Sequence, residues 1–359
     1  MKILIMTNHS YMLYRFRREL IAALMKDHEV VLSMPFVGHE EDFQAMGLRC
    51  IHTEVDRRGI NPKTDWKLLN TYRRLLRAEQ PDLVITYSIK PNIYAGLVCA
   101  GMGIPYCANV QGLGTAFQRK GLAAFVTLLY QMALRRARTV FFENQGNARE
   151  FLERRIIPES KITVVRGAGI NLDAYTAAPY PQRDTVRFLY LGRIMREKGI
   201  DELFAAARRL HRETEGRTAL DLVGFFDDDY EAQVSRLVDE GVAVFHGFQS
   251  DPRPWYADAD CVVLPSYHEG MSNVLLEGAA TGRPVITSDI HGCKEAVDDG
   301  VTGLLCRVRD ADSLYEQMLY MTRLSPAQRA EMGARAREKM VREFDKNQVV
   351  AQTLRALLN

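Results

Sequence analysis

The sequence predicts an α/β protein of two doubly wound domains, each a parallel sheet with helices on both faces. Three observations predict it. Short apolar runs alternate with amphipathic stretches along most of the 359 residues. The rhythm lapses once, between Asp173 and Asp184, where Pro179 and Pro181 interrupt it and a linker is expected. A chain of this length is long for one domain and comfortable for two, each with its own core.

Taken in order, the first domain is expected over residues 1–175. Lys2 is followed at once by Ile3-Leu4-Ile5-Met6, so a strand rather than a secretion signal is expected at the start. Strands are predicted at 2–7, 29–34, 48–53, 82–87, 104–110, 138–143 and 161–165. Helices are predicted between them, at about 12–26, 40–46, 65–79, 92–102, 120–137 and 146–155. In such sheets ligands bind beyond the carboxyl ends of the strands. Those ends are Thr7-Asn8-His9-Ser10, Tyr87-Ser88-Ile89-Lys90 and Val110-Gln111-Gly112-Leu113-Gly114, the candidate floor of a pocket. None of these loops is a G-x-G-x-x-G, so a dehydrogenase-type cofactor site is unsupported.

The second domain is expected over 183–345. It begins afresh with a strand at 186–191, a helix at 199–213 and strands at 219–223 and 242–246. Asp227 to Asp229 read as the N-cap and first turn of a helix starting near Tyr230. Cys261 to Leu264 is a buried strand, Ser272 or Asn273 an N-cap, Val274 to Ala280 a helix and Val285 to Thr287 the next strand. A strand at 303–306 follows. Helical patterns fill most of 311–358, broken near Ser325-Pro326 and near Asp345.

The 260–289 stretch carries the chemistry. Glu269 lies in the loop leaving its first strand and Glu277 about one turn into its helix. Between them Gly270, Met271, Ser272 and Asn273 offer backbone N–H groups where the helix dipole is positive. Two carboxylates at a helix start would repel an inorganic anion, so the ligand must also carry donors, such as sugar hydroxyls. A nucleotide sugar has both. After the first strand of the same domain comes Leu191-Gly192-Arg193-Ile194-Met195-Arg196-Glu197-Lys198-Gly199, which puts Arg193 and Lys198 at the same end of the sheet. Two cations and two helix N-termini can neutralise a diphosphate without a metal. Asp258-Ala-Asp260 is a D-x-D, but it precedes its strand and lies at the wrong end, so no metal site is assigned.

Composition narrows the classes. Hydrophobic and charged contents of 47% and 26% are those of a globular protein, and the six cysteines form no ligand spacing and read as free core thiols. No apolar run reaches the ~18 residues of a membrane span. The net charge of +2 hides an asymmetry: residues 1–175 carry 24 Lys and Arg against 16 Asp and Glu, residues 176–359 carry 23 against 29. The first half therefore meets something acidic, for which an anionic membrane surface is the expected partner and nucleic acid is not. Between Arg119-Lys120 and Arg135-Arg136-Ala137-Arg138, the residues Leu122, Phe125, Leu128, Leu129, Met132 and Ala133 are expected to be the core face of a sheet-covering helix, with the arginines at the surface.

Gly192-Arg193 with Glu197-Lys198-Gly199, then Pro265-Ser266-Tyr267-His268-Glu269-Gly270 and the E-x7-E pair Glu269/Glu277, resemble the C-terminal domain of GT-B glycosyltransferases. The group is the retaining, family 4 type related to glycogen and sucrose synthases, and the resemblance covers nearly the whole chain. It implies two Rossmann-like domains facing each other across a cleft, with the final helix, 346–359, crossing back to the first. It also implies that Arg193 and Lys198 hold the donor diphosphate, Glu277 the ribose, Glu269 with the backbone of Gly270 to Asn273 the donor sugar, and Gly247-Phe248 the base. Glu269, Arg193 and Lys198 are then the catalytic set. The helix beginning Tyr14-Arg15-Phe16-Arg17-Arg18 and the Gln111-Gly112-Leu113-Gly114 loop are closer to bacterial transferases that extend polyprenyl-diphosphate-linked oligosaccharides. They imply an acceptor site of Asn8, His9, Ser10, Arg17, Lys90, Gln111, Gly112 and Gly114.

The expected activity is transfer of a hexose or N-acetylhexosamine, GalNAc first, from a UDP-sugar to a polyprenyl-diphosphate-linked sugar in bacterial surface glycan or glycoprotein assembly. The UDP-sugar is a co-substrate, no other cofactor is expected, and the place is the cytoplasmic face of the cell membrane. The alternatives are a nucleotide-sugar isomerase on this architecture, which would need an acid/base pair that no residue supplies, and a two-lobed sugar-nucleotide binding protein without catalysis.

Overall fold

The computed structural model describes residues 1–56, 61–113, 117 and 120–358. The chain divides into two compact units, residues 1–168 with 348–359 and residues 169–347. In the first, strands β1 (Lys2–Met6), β2 (Glu29–Met34), β3 (Arg49–His52), β4 (Leu83–Tyr87), β5 (Tyr106–Val110), β6 (Thr139–Phe142) and β7 (Ile162–Val164) pair in parallel in the order β3-β2-β1-β4-β5-β6-β7. Their helices are α1 (Ser10–Leu24), α2 (Glu40–Ala45), α3 (Pro62–Glu79), α4 (Gly96–Met102), α5 (Lys120–Leu134) and α6 (Gln145–Glu153). β4 and β5 are buried along their whole length, so they show no in-out alternation, and the polar residues they bury are hydrogen-bonded, Thr86 Oγ1 to Asn92 and Asn109 Nδ2 to Thr86 O.

The second unit has β8 (Val186–Leu191), β9 (Thr218–Val223), β10 (Ala243–Phe245), β11 (Cys261–Leu264), β12 (Val285–Ser288) and β13 (Gly303–Cys306), parallel in the order β10-β9-β8-β11-β12-β13. Helices α7 (Ile200–Glu213), α8 (Glu231–Asp239), α9 (Arg253–Asp258), α10 (Asn273–Ala280), α11 (Ala311–Arg323) and α12 (Pro326–Glu343) surround it. The last helix, α13 (Lys346–Leu358), belongs from Gln348 onward to the first unit, where Val349 and Leu357 are buried with Ile5, Leu20 and Leu32. Every predicted strand lies within two residues of an observed one. In both sheets all carboxyl ends share one edge, the edge at which such sheets bind ligands.

Four sequence expectations are changed by the structure. Asp173 to Asp184 has no regular structure but is fastened to the second unit. Ala178 N–H donates to Thr281 O, Tyr180 OH donates to Asp260 O, and the buried Arg283 guanidinium donates to the carbonyls of Ala178, Pro179 and Ala257. Asp258 and Asp260 serve the same purpose, holding Arg183. Helix α9 was not predicted, because six residues starting at Arg253-Pro254 are too few for a periodic pattern.

Helix α5 is turned other than expected. Phe125, Leu128 and Met132 are 47, 53 and 53% exposed, and the core face is Ala123, Val126, Tyr130, Ala133 and Leu134. Apolar residues lie on more than one side of this helix, so periodicity could not choose its inner side. What decides it is close packing: a Cβ on Gly96 of α4 would stand 2.9 Å from Ala133 O, and Tyr106 OH donates to that carbonyl, leaving room for only a small residue there. Arg17, expected in the acceptor site, is 6% exposed, with Nη2 2.5 Å from Glu143 Oε1 and Nη1 donating to Gly167 O. Among the described residues no helix is long and apolar enough to cross a membrane.

Candidate active site

The ligand edge of the second sheet is assembled from three loops. After β8 the chain crosses toward β9: Gly192 N–H donates to Val223 O, Ile194 N–H to Phe225 O, and Asp227 N–H to Ile194 O. Buried Tyr190 donates its hydroxyl to Arg193 O at 2.5 Å, fixing the backbone from which Arg193 projects. A tight turn, Arg196–Lys198, then leads to Gly199, which caps α7 in the left-handed region at φ 71°. A Cβ there would lie 2.0 Å from Pro265 O, so only glycine lets this turn lie against the loop after β11. Tyr267 N–H, donating to Glu197 O, closes the same contact.

That approach brings Lys198 to Glu269. Its Nζ is 2.5 Å from Glu269 Oε1, which also accepts from Ser266 Oγ at 2.8 Å, with the two side chains only 19 and 13% exposed. Arg193 is more open, 47% exposed, and its Nη1 is 2.6 Å from Asp227 Oδ2. Both cations are thus held by carboxylates. Asp227 and Asp228 do not cap α8 as the sequence suggested. Tyr230 is the N-cap without a side-chain bond, while Asp227 takes Arg193 and Asp228 accepts from Arg196 N–H. The pull of a cationic loop 34 residues upstream outweighs the local cap.

The loop after β11 carries the remaining residues. Ser272 is the N-cap of α10, accepting from Leu275 N–H, and its own N–H donates to Gly292 O. Gly292, at φ 89°, lies so close under the Glu269-Gly270 backbone that a Cβ would be 2.6 Å from both carbonyls. Met271 and Ser272 are buried; Gly270 and Asn273 are half-buried. The first-turn N–H groups of α10, from Asn273 on, have no acceptor within the helix and present partial positive charge beside Lys198 and Glu269. Glu277 is 4% exposed and accepts from Tyr256 OH at 2.8 Å. Phe248, 56% exposed, meets the ring of Phe225 edge-on at 6.2 Å.

Sequence reasoning missed four participants: Ser266, Asp227 as a partner of Arg193, Tyr256 and Phe225. Ser266 sat inside the motif that named Glu269. Tyr256 lies on α9, the helix too short to be predicted, 21 residues before the carboxylate it holds, so no local pattern could link them.

The candidate acceptor residues of the first unit fall at the ligand edge of the adjacent strands β1, β4 and β5. Asn8 and Gly112 are half-buried there, and His9 is the N-cap of α1. Ser10 is buried and accepts from Val37 N–H. Gln111 Nε2 reaches Met12 Sδ at 3.3 Å, and Lys90 Nζ is 2.8 Å from Asp65 Oδ1. Arg17 is set apart by its buried pairing with Glu143. Gly114 and Arg119 lie outside the described residues.

A family model described as Glycosyltransferase Family 4 matches residues 12–173, and one described as Glycosyl transferases group 1 matches residues 185–323. The chain is 27% identical over 325 residues, 85% of each chain, to the N,N'-diacetylbacillosaminyl-diphospho-undecaprenol alpha-1,3-N-acetylgalactosaminyltransferase of Campylobacter jejuni. It is 32% identical over 203 residues to the glycogen synthase of Mycobacterium tuberculosis, 55% of this chain and 49% of that one. Among solved structures it is similar to Anabaena Alr3699/HepE in complex with UDP and glucose, with a TM-score of 0.82, 18% identity and 99% of each chain covered. It is also similar to the sucrose-phosphate synthase of Thermosynechococcus elongatus, with a TM-score of 0.75, 20% identity and 99 and 97% covered.

Proposed function

Since the chain belongs to the family 4 glycosyltransferases of GT-B fold, we propose that it transfers a sugar, with retention, from a UDP-sugar to a polyprenyl-diphosphate-linked sugar. One observation carries this: Arg193, Lys198, Glu269 and the N-terminus of α10 converge at the ligand edge of the second sheet. An arrangement of two cations and a helix N-terminus suits a diphosphate, and carboxylates beside it suit hydroxyls. The lipid-linked acceptor and GalNAc as the first donor sugar to try are supported by the name of the Campylobacter relative. UDP is supported by the ligands in the Anabaena structure.

In this reading the donor diphosphate takes Arg193 from Asp227 and Lys198 from Glu269. Glu269 is then free to hold sugar hydroxyls, and Glu277, oriented by Tyr256, takes the ribose. The C1–O bond to the diphosphate breaks, and the electron pair stays on the phosphate oxygen, where Arg193, Lys198 and the N–H groups of α10 stabilise it. The acceptor hydroxyl oxygen bonds to C1 on the same face, and its proton passes to the leaving phosphate. No protein nucleophile is needed, and in this reading Arg193, Lys198 and the N-terminus of α10 stabilise the diphosphate in place of a metal ion. The first unit, with its excess of Lys and Arg, meets the acceptor at the inner face of the cell membrane.

The test is a panel of UDP-sugars incubated with the purified chain and a polyprenyl-diphosphate-linked saccharide. Mass analysis should show the acceptor heavier by one hexose or N-acetylhexosamine, and NMR the donor's anomeric configuration in the product. Epimerised or isomerised UDP-sugar without acceptor would point to an isomerase, and donor binding without turnover to a binding protein.

A further inference from the structure

Helix α5 is apolar on two sides, separated on one flank by Thr127 and Gln131. Its inner stripe is buried, yet its outer stripe is apolar too: Phe125, Leu128 and Met132 are exposed, with Ala124 beside them. Positions 121, 124, 125, 128 and 132 keep the three- and four-residue spacing that places side chains on one face. Single exposed apolar residues are ordinary, but a continuous stripe marks a surface that something covers.

The surroundings indicate what covers it. Residues 120–138 contain no Asp or Glu, and Arg135, Arg136 and Arg138 are exposed where the helix ends. Helix α3 lies in the same layer, since its Leu68, Tyr72 and Leu76 share one core with Val126 and Tyr130 of α5. It shows Trp66, 71% exposed, and exposed Arg73, Arg74 and Arg77. An apolar stripe on a segment that carries cations and no carboxylates of its own is complementary to a bilayer with anionic headgroups. A second copy of the chain would instead set arginine against arginine. Fifteen residues span roughly 22 Å as a helix, short of the ~20 apolar residues of a crossing segment. Such a helix lies along the interface.

We propose that α5 lies in the plane of an anionic bilayer with Phe125, Leu128 and Met132 inserted between the lipids and the neighbouring arginines at the headgroups. The proposal deepens the reading of a lipid-linked acceptor, on which it rests, by assigning the lipid contact to one helix face. It differs from attraction by charge alone, because an inserted stripe holds at high salt.

Vesicle co-sedimentation of the full chain tests it, with phosphatidylcholine vesicles containing or lacking phosphatidylglycerol, at low and high salt. The wild type should bind the anionic vesicles and keep part of that binding at high salt. The triple variant Phe125→Ser/Leu128→Ser/Met132→Ser should lose about tenfold or more in partitioning with Tm and donor affinity unchanged. Should that variant unfold, Leu128→Gln alone should lose roughly threefold. Arg135→Glu/Arg136→Glu should remove the salt-sensitive part only. Partitioning unchanged by removal of the stripe overturns the proposal. So does a wild type that ignores vesicles but forms a dimer that the triple variant cannot. Sugar transfer to a water-soluble acceptor is read separately: a wild type that binds vesicles through α5 but transfers nothing refutes the reaction and not the membrane face.

Discussion

At the scale of single residues, the two cations of the site differ in how they are held. Arg193 is 47% exposed and Lys198 only 19%, so Arg193→Ala should leave Tm unchanged while Lys198→Ala costs about 1 kcal/mol through the bond lost to Glu269. Both should lower kcat about a hundredfold, roughly 3 kcal/mol of transition-state stabilisation. Turnover at the wild-type rate with saturating donor would remove the diphosphate assignment. Tyr256 acts through Glu277: Tyr256→Phe deletes one hydrogen bond and should raise the KM for donor about fivefold, near 1 kcal/mol, with kcat almost unchanged. Arg17→Ala breaks the buried ion pair with Glu143 and should cost about 3 kcal/mol in chemical denaturation. A stable variant with only a raised acceptor KM would return Arg17 to the acceptor site. Arg193, Lys198, Glu269 and Glu277 were legible in the sequence because each sits beside a strand end or helix start. Their partners Asp227 and Tyr256, and the Arg17–Glu143 pair 126 residues apart, depend on tertiary approach that no local pattern encodes.

At the scale of elements, the site depends on two loops touching at Gly199 and Pro265. Gly199→Ala places a methyl group 2.0 Å from a carbonyl oxygen and strains a left-handed residue. It should therefore cost about 2–4 kcal/mol in denaturant unfolding and disturb the Lys198–Glu269 pair, so that donor affinity falls with stability. Donor binding as tight as wild type would mean that this contact does not position the site. The strands were legible because parallel, doubly covered strands are short, mostly apolar runs, as Cys261 to Leu264 of β11 illustrates. Helices α5 and α9 were not, for opposite reasons. α9 is too short to show a period, and α5, apolar on two sides, shows no preferred one until Gly96 and Tyr106 select the side that packs.

At the scale of the whole molecule, charge is divided unequally between the two halves of the chain. The excess of cations lies in the half expected to receive the acceptor, and the donor cations Arg193 and Lys198 stand in an otherwise acidic half. The break in rhythm near Pro179 suggested two domains, but the units divide between Ala168 and Gly169, and the Pro179 segment is fastened within the second unit through Arg283. The most direct measurement of the central claim is UDP release by the purified chain, followed with donor alone, with acceptor alone and with both, in buffer and in EDTA. Release only when a UDP-sugar and a polyprenyl-diphosphate-linked sugar are both present, matched one for one by lengthened acceptor and unaffected by EDTA, is the expected result. UDP-sugar consumed at the same rate without acceptor, or no release with any donor of the panel, would contradict it.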